Sequence, residues 1–187
     1  MRDLTVVRAC RGEPAAVRQL VRTHQAAVHA LVCRMLVGDP ASVDDVCQLS
    51  LIKAIRHLDR FDADRRSSVR SWMLTIATRT AIDHLRRPRR AVPTAPDTID
   101  ALSTSAVSPE GRVMDAHEVA RVHRMMAALP DDQRAALVLR AYHDLDYEEI
   151  AGALQVEVGT VKSRIARARA SLRASMQKCG TSEVTHV

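Results

Sequence analysis

Aromatic residues are nearly missing from this chain: Phe61, Trp72, Tyr142 and Tyr147 make up 2% of its 187 residues. Strand formers are not gathered into alternating runs either, whereas Ala, Leu and Arg abound, so sheet-based folds are excluded and an all-α chain is expected. With six glycines, no glycine-rich phosphate loop can be built. The cysteines Cys10, Cys33, Cys47 and Cys179 show no CxxC spacing, and three of them fall inside apolar helical patterns, which reads as reduced thiols with no metal role. No apolar run approaches the ~18 residues of a membrane span, and Met1-Arg2-Asp3-Leu4 leads into no signal-like hydrophobic stretch. A cytoplasmic protein with no direct membrane insertion is expected.

Apolar residues at 47% and charged residues at 27% provide for a folded core. At this length, one domain or two small ones are expected. The net charge of +6 favours a polyanionic partner, nucleic acid before a membrane surface. Pro88, Pro93, Pro96 and Pro109 crowd one stretch together with Thr94, Thr98, Ser103, Thr104, Ser105 and Ser108, the composition of a linker. The blocks it separates differ in charge: residues 1–90 hold 17 basic and 9 acidic side chains, residues 131–187 hold 8 of each. The expected division is two small helical domains on a flexible linker: a first domain over 1–88, a linker over 89–112, a second domain over 113–178 and a tail over 179–187.

In the first block Val17, Leu20, Val21, His24, Val28, Leu31, Val32 and Met35 recur at helical spacing, predicting a helix from about 14 to 37. Ser42 with Asp45 suggests a start box for a second helix, whose stripe is Val43, Val46, Ser50, Ala54 and Leu58. A third helix begins near Ser68, turns Val69, Trp72, Met73 and Ile76 inward and ends before Pro88. The second block opens with helices over 113–129 and 131–143. Asp146 and Glu149 then form a capping box for a short helix, residues 155–159 make a turn, and a last helix runs from about 160 to 176. Two helices joined by a short turn read as helix-turn-helix.

The last helix carries the chemistry. Val161, Ile165, Ala168 and Leu172 form one apolar seam, while the opposite arc presents Ser163, Ala166, Arg167 and Ala170 flanked by Lys162 and Arg169. Between residues 158 and 182 there is no acidic side chain. Small residues let such a helix approach base edges in the major groove, and Arg and Lys reach guanines or phosphates. A solvated basic face is the plainer alternative.

At this point Ala128-Leu129-Pro130-Asp131-Asp132-Gln133-Arg134, Tyr147-Glu148-Glu149-Ile150-Ala151 and Val158-Gly159-Thr160-Val161-Lys162-Ser163-Arg164 resemble the C-terminal domain of extracytoplasmic-function RNA polymerase sigma factors. Asp44-Asp45-Val46-Cys47-Gln48, the run Ser71 to Ala77 and the run Ala81 to Arg87 are similar to that family's second conserved region. The resemblance implies a region 2 bundle that grips core RNA polymerase and opens the minus-ten promoter element, and a region 4 helix-turn-helix that reads the minus-thirty-five element. It places Asp45 and Gln48 against a coiled coil of the core polymerase. It gives minus-ten contacts to Arg65, Arg66, Ser68, Arg70, Arg79, Asp83 and Arg86, with Asp83 orienting an arginine, and minus-thirty-five contacts to Thr160, Lys162, Ser163, Ala166 and Arg167. Its implied partners are core RNA polymerase, promoter DNA and an anti-sigma factor; it implies no cofactor. The family often has Asn at the position of Arg79, an acidic residue at Leu49 and Phe at Leu51, and a bulky apolar residue can stand at Ala166. Trp72 shares its helical face with Val69, Met73 and Ile76 and is expected in the core.

An enzyme is the first rival. His117-Glu118 begins like a zinc-protease motif, but Arg121 stands where the second His belongs. Asp44-Asp45 and Asp131-Asp132 sit at helix starts, where carboxylates suit the dipole, so no catalytic group is expected. A free-standing helix-turn-helix regulator is the second rival, and it accounts for residues 130–178 alone.

Overall fold

The computed structural model describes residues 4–61, 68–87 and 116–182; Arg65, Arg66, the expected linker and residues 183–187 of the expected tail lie outside them, while 179–182 continue the last helix. The described chain is helical throughout. Four helices form the first block: α1 (Leu4–Cys10), α2 (Pro14–Met35), α3 (Val43–Arg56) and α4 (Val69–Arg86). Four more form the second: α5 (Ala116–Ala127), α6 (Asp131–His143), α7 (Tyr147–Leu154) and α8 (Val158–Ser182).

In the first block α2 packs against α1, α3 and α4. Its Val28, Leu31, Val32 and Met35 are buried, and the α3 stripe of Val43, Val46, Ser50 and Ala54 closes onto Met73, Leu74, Ala77 and Ala81 of α4. Helix α1 lies before the first expected helix and adds Val6 and Ala9 to this core. Trp72 is half-buried with its ring centroid 5.3 Å from that of Phe61, in the core role expected of it. Cys47 is buried and burial pushes its thiol up to about 12, while Cys10 and Cys33 are half-buried free thiols whose pKa values burial also raises.

Two local expectations are corrected. Ser42 makes no capping bond: residues Pro40–Ser42 form a 3-10 turn, so the Ser42 backbone is already helical and its hydroxyl is not aimed at the first free N–H groups of α3. The turn before the last helix is shorter than expected. Gln155 takes the left-handed conformation at φ 54° after α7, and Gly159 lies within the first turn of α8, which starts at Val158.

In the second block the expected capping box of α7 is made. The Asp146 carboxylate accepts from Glu149 N at 2.7 Å, and the Asp146 backbone N donates to Glu149 Oε2 at 3.0 Å. Arg134 is buried, with burial lowering its pKa. Its Nη1 donates to the carbonyls of Met126, Ala127 and Leu129 at 3.2, 3.4 and 3.3 Å, and its Nη2 pairs with Asp131. One side chain thereby satisfies the open end of α5 and ties it to the start of α6.

The two blocks pack against each other. Helix α2 packs on α6, α4 packs on α6 and α7, and the buried apolar residues form one continuous cluster through both blocks.

Candidate nucleic-acid interface

Helix α8 is built as its spacing predicts. Val161, Ile165 and Ala168 are buried and Leu172 is half-buried against the core, while Lys162, Ser163, Ala166, Arg167, Arg169 and Ala170 are exposed. The face is shallow and cationic. Thr160 is half-buried at its start, and the Ser163 hydroxyl donates to the Thr160 carbonyl at 2.9 Å, which settles the first turn. Lys162 Nζ stands 5.6 Å from the centre of the Tyr147 ring, so α7 steadies this cation. Arg164 turns the other way: its Nη2 pairs with Asp132 at 2.8 Å and helps fix α8 on α6.

The expected minus-ten residues stand on or before α4, in differing environments. Ser68 caps the helix, its hydroxyl accepting from Ser71 N at 3.0 Å. Asp83 is exposed, one position on from the buried Ile82. The three arginines all reach into the second block. Arg70 Nη1 donates to the His143 carbonyl at 2.9 Å, and its Nη2 lies 3.4 Å from His143 Nδ1. Arg79 donates from Nε to the Ala153 carbonyl at 2.9 Å and from Nη2 to the Gly152 carbonyl at 2.7 Å. Arg86 Nη2 lies 3.5 Å from Asp132 Oδ1. Beside them the Arg34 guanidinium stacks 4.2 Å over the Tyr142 ring.

His143 is buried at this seam. Arginine is donor only, so Nδ1 must accept and the proton sits on Nε2, which is buried without a partner among the described residues. Burial, then the Arg70 and Arg34 charges, push its pKa down to about 4, against a smaller opposing effect of Asp144.

Asp45 and Gln48 are exposed on α3. They are joined by three apolar side chains that were not singled out as contacts: Leu49, Ile52 and Ile55 are 39%, 45% and 42% exposed. Positions 45, 48, 49, 52 and 55 follow helical spacing, so α3 carries a second stripe opposite the buried one. That repeat was the signal in the sequence. No group of three or more His, Cys, Asp or Glu among the described residues is placed to hold a metal ion, and no described helix is long and apolar enough to cross a membrane.

Residues 20–91 match the family described as sigma-70 region 2, and residues 120–172 match sigma-70 region 4. The chain is 38% identical over 180 residues to the RNA polymerase sigma-H factor of Pseudomonas aeruginosa, covering 92% of each protein. It is 35% identical over 183 residues to the ECF RNA polymerase sigma-E factor of Escherichia coli, covering 94% of each. Among solved structures it resembles CnrH in complex with the cytosolic domain of CnrY, with a TM-score of 0.67 and 29% identity over 94% of this chain and 96% of that one. The sigma factor RpoE of Bartonella quintana, solved with the anti-sigma factor NepR, has the same fold at a TM-score of 0.66 and 22% identity, over 86% of this chain and 96% of that one.

Proposed function

The chain belongs to the extracytoplasmic-function RNA polymerase sigma factors, and on that premise we propose that it binds core RNA polymerase through the exposed stripe of α3 and directs it to promoters with two short elements. Asp45 and Gln48 supply polar contacts on that stripe, and Leu49, Ile52 and Ile55 supply apolar area that docking removes from water. Its first domain, to about residue 88, then holds the opened minus-ten strand through Arg65, Arg66, Ser68, Arg70, Arg79, Asp83 and Arg86. Its second, from about 113 to 178, reads the minus-thirty-five element through Thr160, Lys162, Ser163, Ala166 and Arg167. The protein works in the cytoplasm under an anti-sigma factor and needs no cofactor of its own.

The observation that carries this reading is α8, a helix whose seam is buried and whose outward face is small-residued and cationic. The Arg167 guanidinium on that face carries five N–H donors in a planar fork, two of which make a bidentate contact with the O6 and N7 of a guanine edge. Purified chain added to core polymerase is expected to start transcription at such a promoter, and an electrophoretic shift of promoter DNA is expected to need core. A chain that shifts DNA equally well by itself and does not capture core in a pull-down is a free-standing regulator instead.

A triple R65A/R66A/R70A variant is expected to keep the upstream footprint of the holoenzyme. It should lose permanganate reactivity of thymines near the start site, because the melted strand loses its grip. A template with a pre-melted bubble should then restore transcription.

A further inference from the structure

Four reactive side chains in the first block have no part in the function proposed above: His29 and Cys33 on α2, and Asp44 and Cys47 on α3. His29 and Cys33 are four residues apart and Asp44 and Cys47 three, so each pair shares a face of its own helix. Helices α2 and α3 pack on each other across a short connection, and His29 Nε2 lies 3.8 Å from Asp44 Oδ1, so the two faces oppose. Cys33 Sγ stands 3.5 Å from His29 Nδ1 and 3.8 Å from Nε2. The two thiols, both free, differ in access: Cys33 is half-buried beside an exposed imidazole, whereas Cys47 is 8% exposed. Negative charge on Cys33 raises the Cys47 pKa and the Asp44 charge raises that of Cys33, as neighbours in one group do.

We propose that Cys33 and Cys47 are an oxidisable pair: a hydroperoxide oxidises Cys33, and Cys47 then closes a disulfide that ties α2 to α3. In the first step the Cys33 thiol gives its proton to His29 and its sulfur attacks the hydroperoxide. The O–O bond breaks, Cys33 becomes a sulfenic acid, and the other oxygen leaves as an alcohol or water with the proton from His29. In the second step the Cys47 sulfur attacks that of Cys33, the S–O bond breaks, and hydroxide leaves as water with the Cys47 proton. Burial holds both thiols in the protonated form, which makes the reaction slow without a base and gives His29 its role.

Closing the bond moves α3. Sulfurs that are not bonded stand no closer than van der Waals contact, and a disulfide holds them at ~2.05 Å, so the Cys47 side of α3 is drawn toward α2. Asp45 and Gln48 flank Cys47 on the same helix, and the exposed stripe they belong to turns with it. Oxidation therefore weakens docking on core polymerase. That coupling rests on the assignment of the stripe to polymerase; the disulfide does not.

The test uses the full-length C10S/C179S chain, which keeps this pair as its only thiols. It is treated with hydrogen peroxide, blocked with N-ethylmaleimide and digested for mass spectrometry. The peptides carrying Cys33 and Cys47 are expected to be recovered joined, lighter by two hydrogens than their sum, and to separate with dithiothreitol. H29Q should slow the joining roughly tenfold, and C33S and C47A should abolish it. If circular dichroism finds C47A unfolded, C33S at the half-buried position carries that control. Recovery of Cys33 as a sulfinic acid with Cys47 unoxidised overturns the pair, as does joining only between two chains, and an H29Q rate equal to that of the parent overturns the base. Core polymerase is then titrated with the reduced and the oxidised chain, and the oxidised one should bind roughly tenfold more weakly until dithiothreitol restores it. Equal binding overturns the coupling to docking. A reduced chain that does not bind core overturns the polymerase reading and the coupling with it, while the joined peptides decide the disulfide separately.

Discussion

Two arginine-rich surfaces of this protein are built on the same principle and end in opposite states. On α8, Arg167 and Arg169 reach solvent because the seam of Val161, Ile165 and Ala168 turns them outward. On α4, Arg70, Arg79 and Arg86 lie just as plainly outside their own bundle's core, but another part of the chain has taken them up. The first surface is settled by the periodicity of one helix. The second is settled by what packs on it, and a cation's place on a helix is no guide to whether it is available.

The strongest way to break this comparison is to unfold one side of it. Leu139 is fully buried in α6, and L139A should cost ~2–5 kcal/mol through lost burial and the cavity left behind. If the blocks lean on each other as their shared core indicates, calorimetry will find the first block's transition moving down with the second's. Two transitions, one of them unmoved, would mean that the seam contributes little to stability.

Removing one cation sharpens the other side. R167A should lose ~1–3 kcal/mol of discrimination between promoter sequences if its contact is bidentate, with the fold intact. Competition shifts of holoenzyme against promoters altered one base pair at a time would locate the base it reads. An unchanged preference would move the reading face elsewhere on α8.

Acid probes the seam itself. His143 is faced by Arg70 and Arg34, with Asp144 beside it, and is held neutral with its pKa lowered from 6.5 to about 4. The unfolded chain therefore takes up its proton first as pH falls through 6.5, and stability drains away until the folded pKa is passed. The loss should be about 2 kcal/mol by pH 5, read as a shift in urea midpoint between pH 7 and pH 5. H143L should flatten that part of the profile.

The smallest effect belongs to the α7 cap. D146A should cost ~1 kcal/mol, and amide exchange in α7 should quicken more than in α8.

What could be read in advance follows the same line between local and distant causes. The α8 seam, the buried stripe of α3 and the Asp146–Glu149 box are repeats or pairs a few residues apart, and the sequence displays them directly. Helix α1 has seven residues, too few to show a period, and its helicity depends on Val6 and Ala9 finding α2. Ser42 had the right residue type for a cap and the wrong backbone, because Pro40 had already begun a tight turn. The partners of Arg70 and Arg79 were out of reach altogether. All but one are main-chain carbonyls, which every residue owns, and the exception, His143 Nδ1, lies 73 residues along the chain from Arg70.

Arg134 bears on how the second domain can be used apart from the first. Its guanidinium draws its acceptors from both sides of the α5–α6 corner, so a fragment cut at Asp131 would bury a charge stripped of its Met126, Ala127 and Leu129 carbonyls. Lysine is no substitute, having three donors on a single atom where this corner needs a planar fork. The smallest portable helix-turn-helix unit that this protein offers for grafting onto another scaffold therefore begins with α5 and carries the arginine with it.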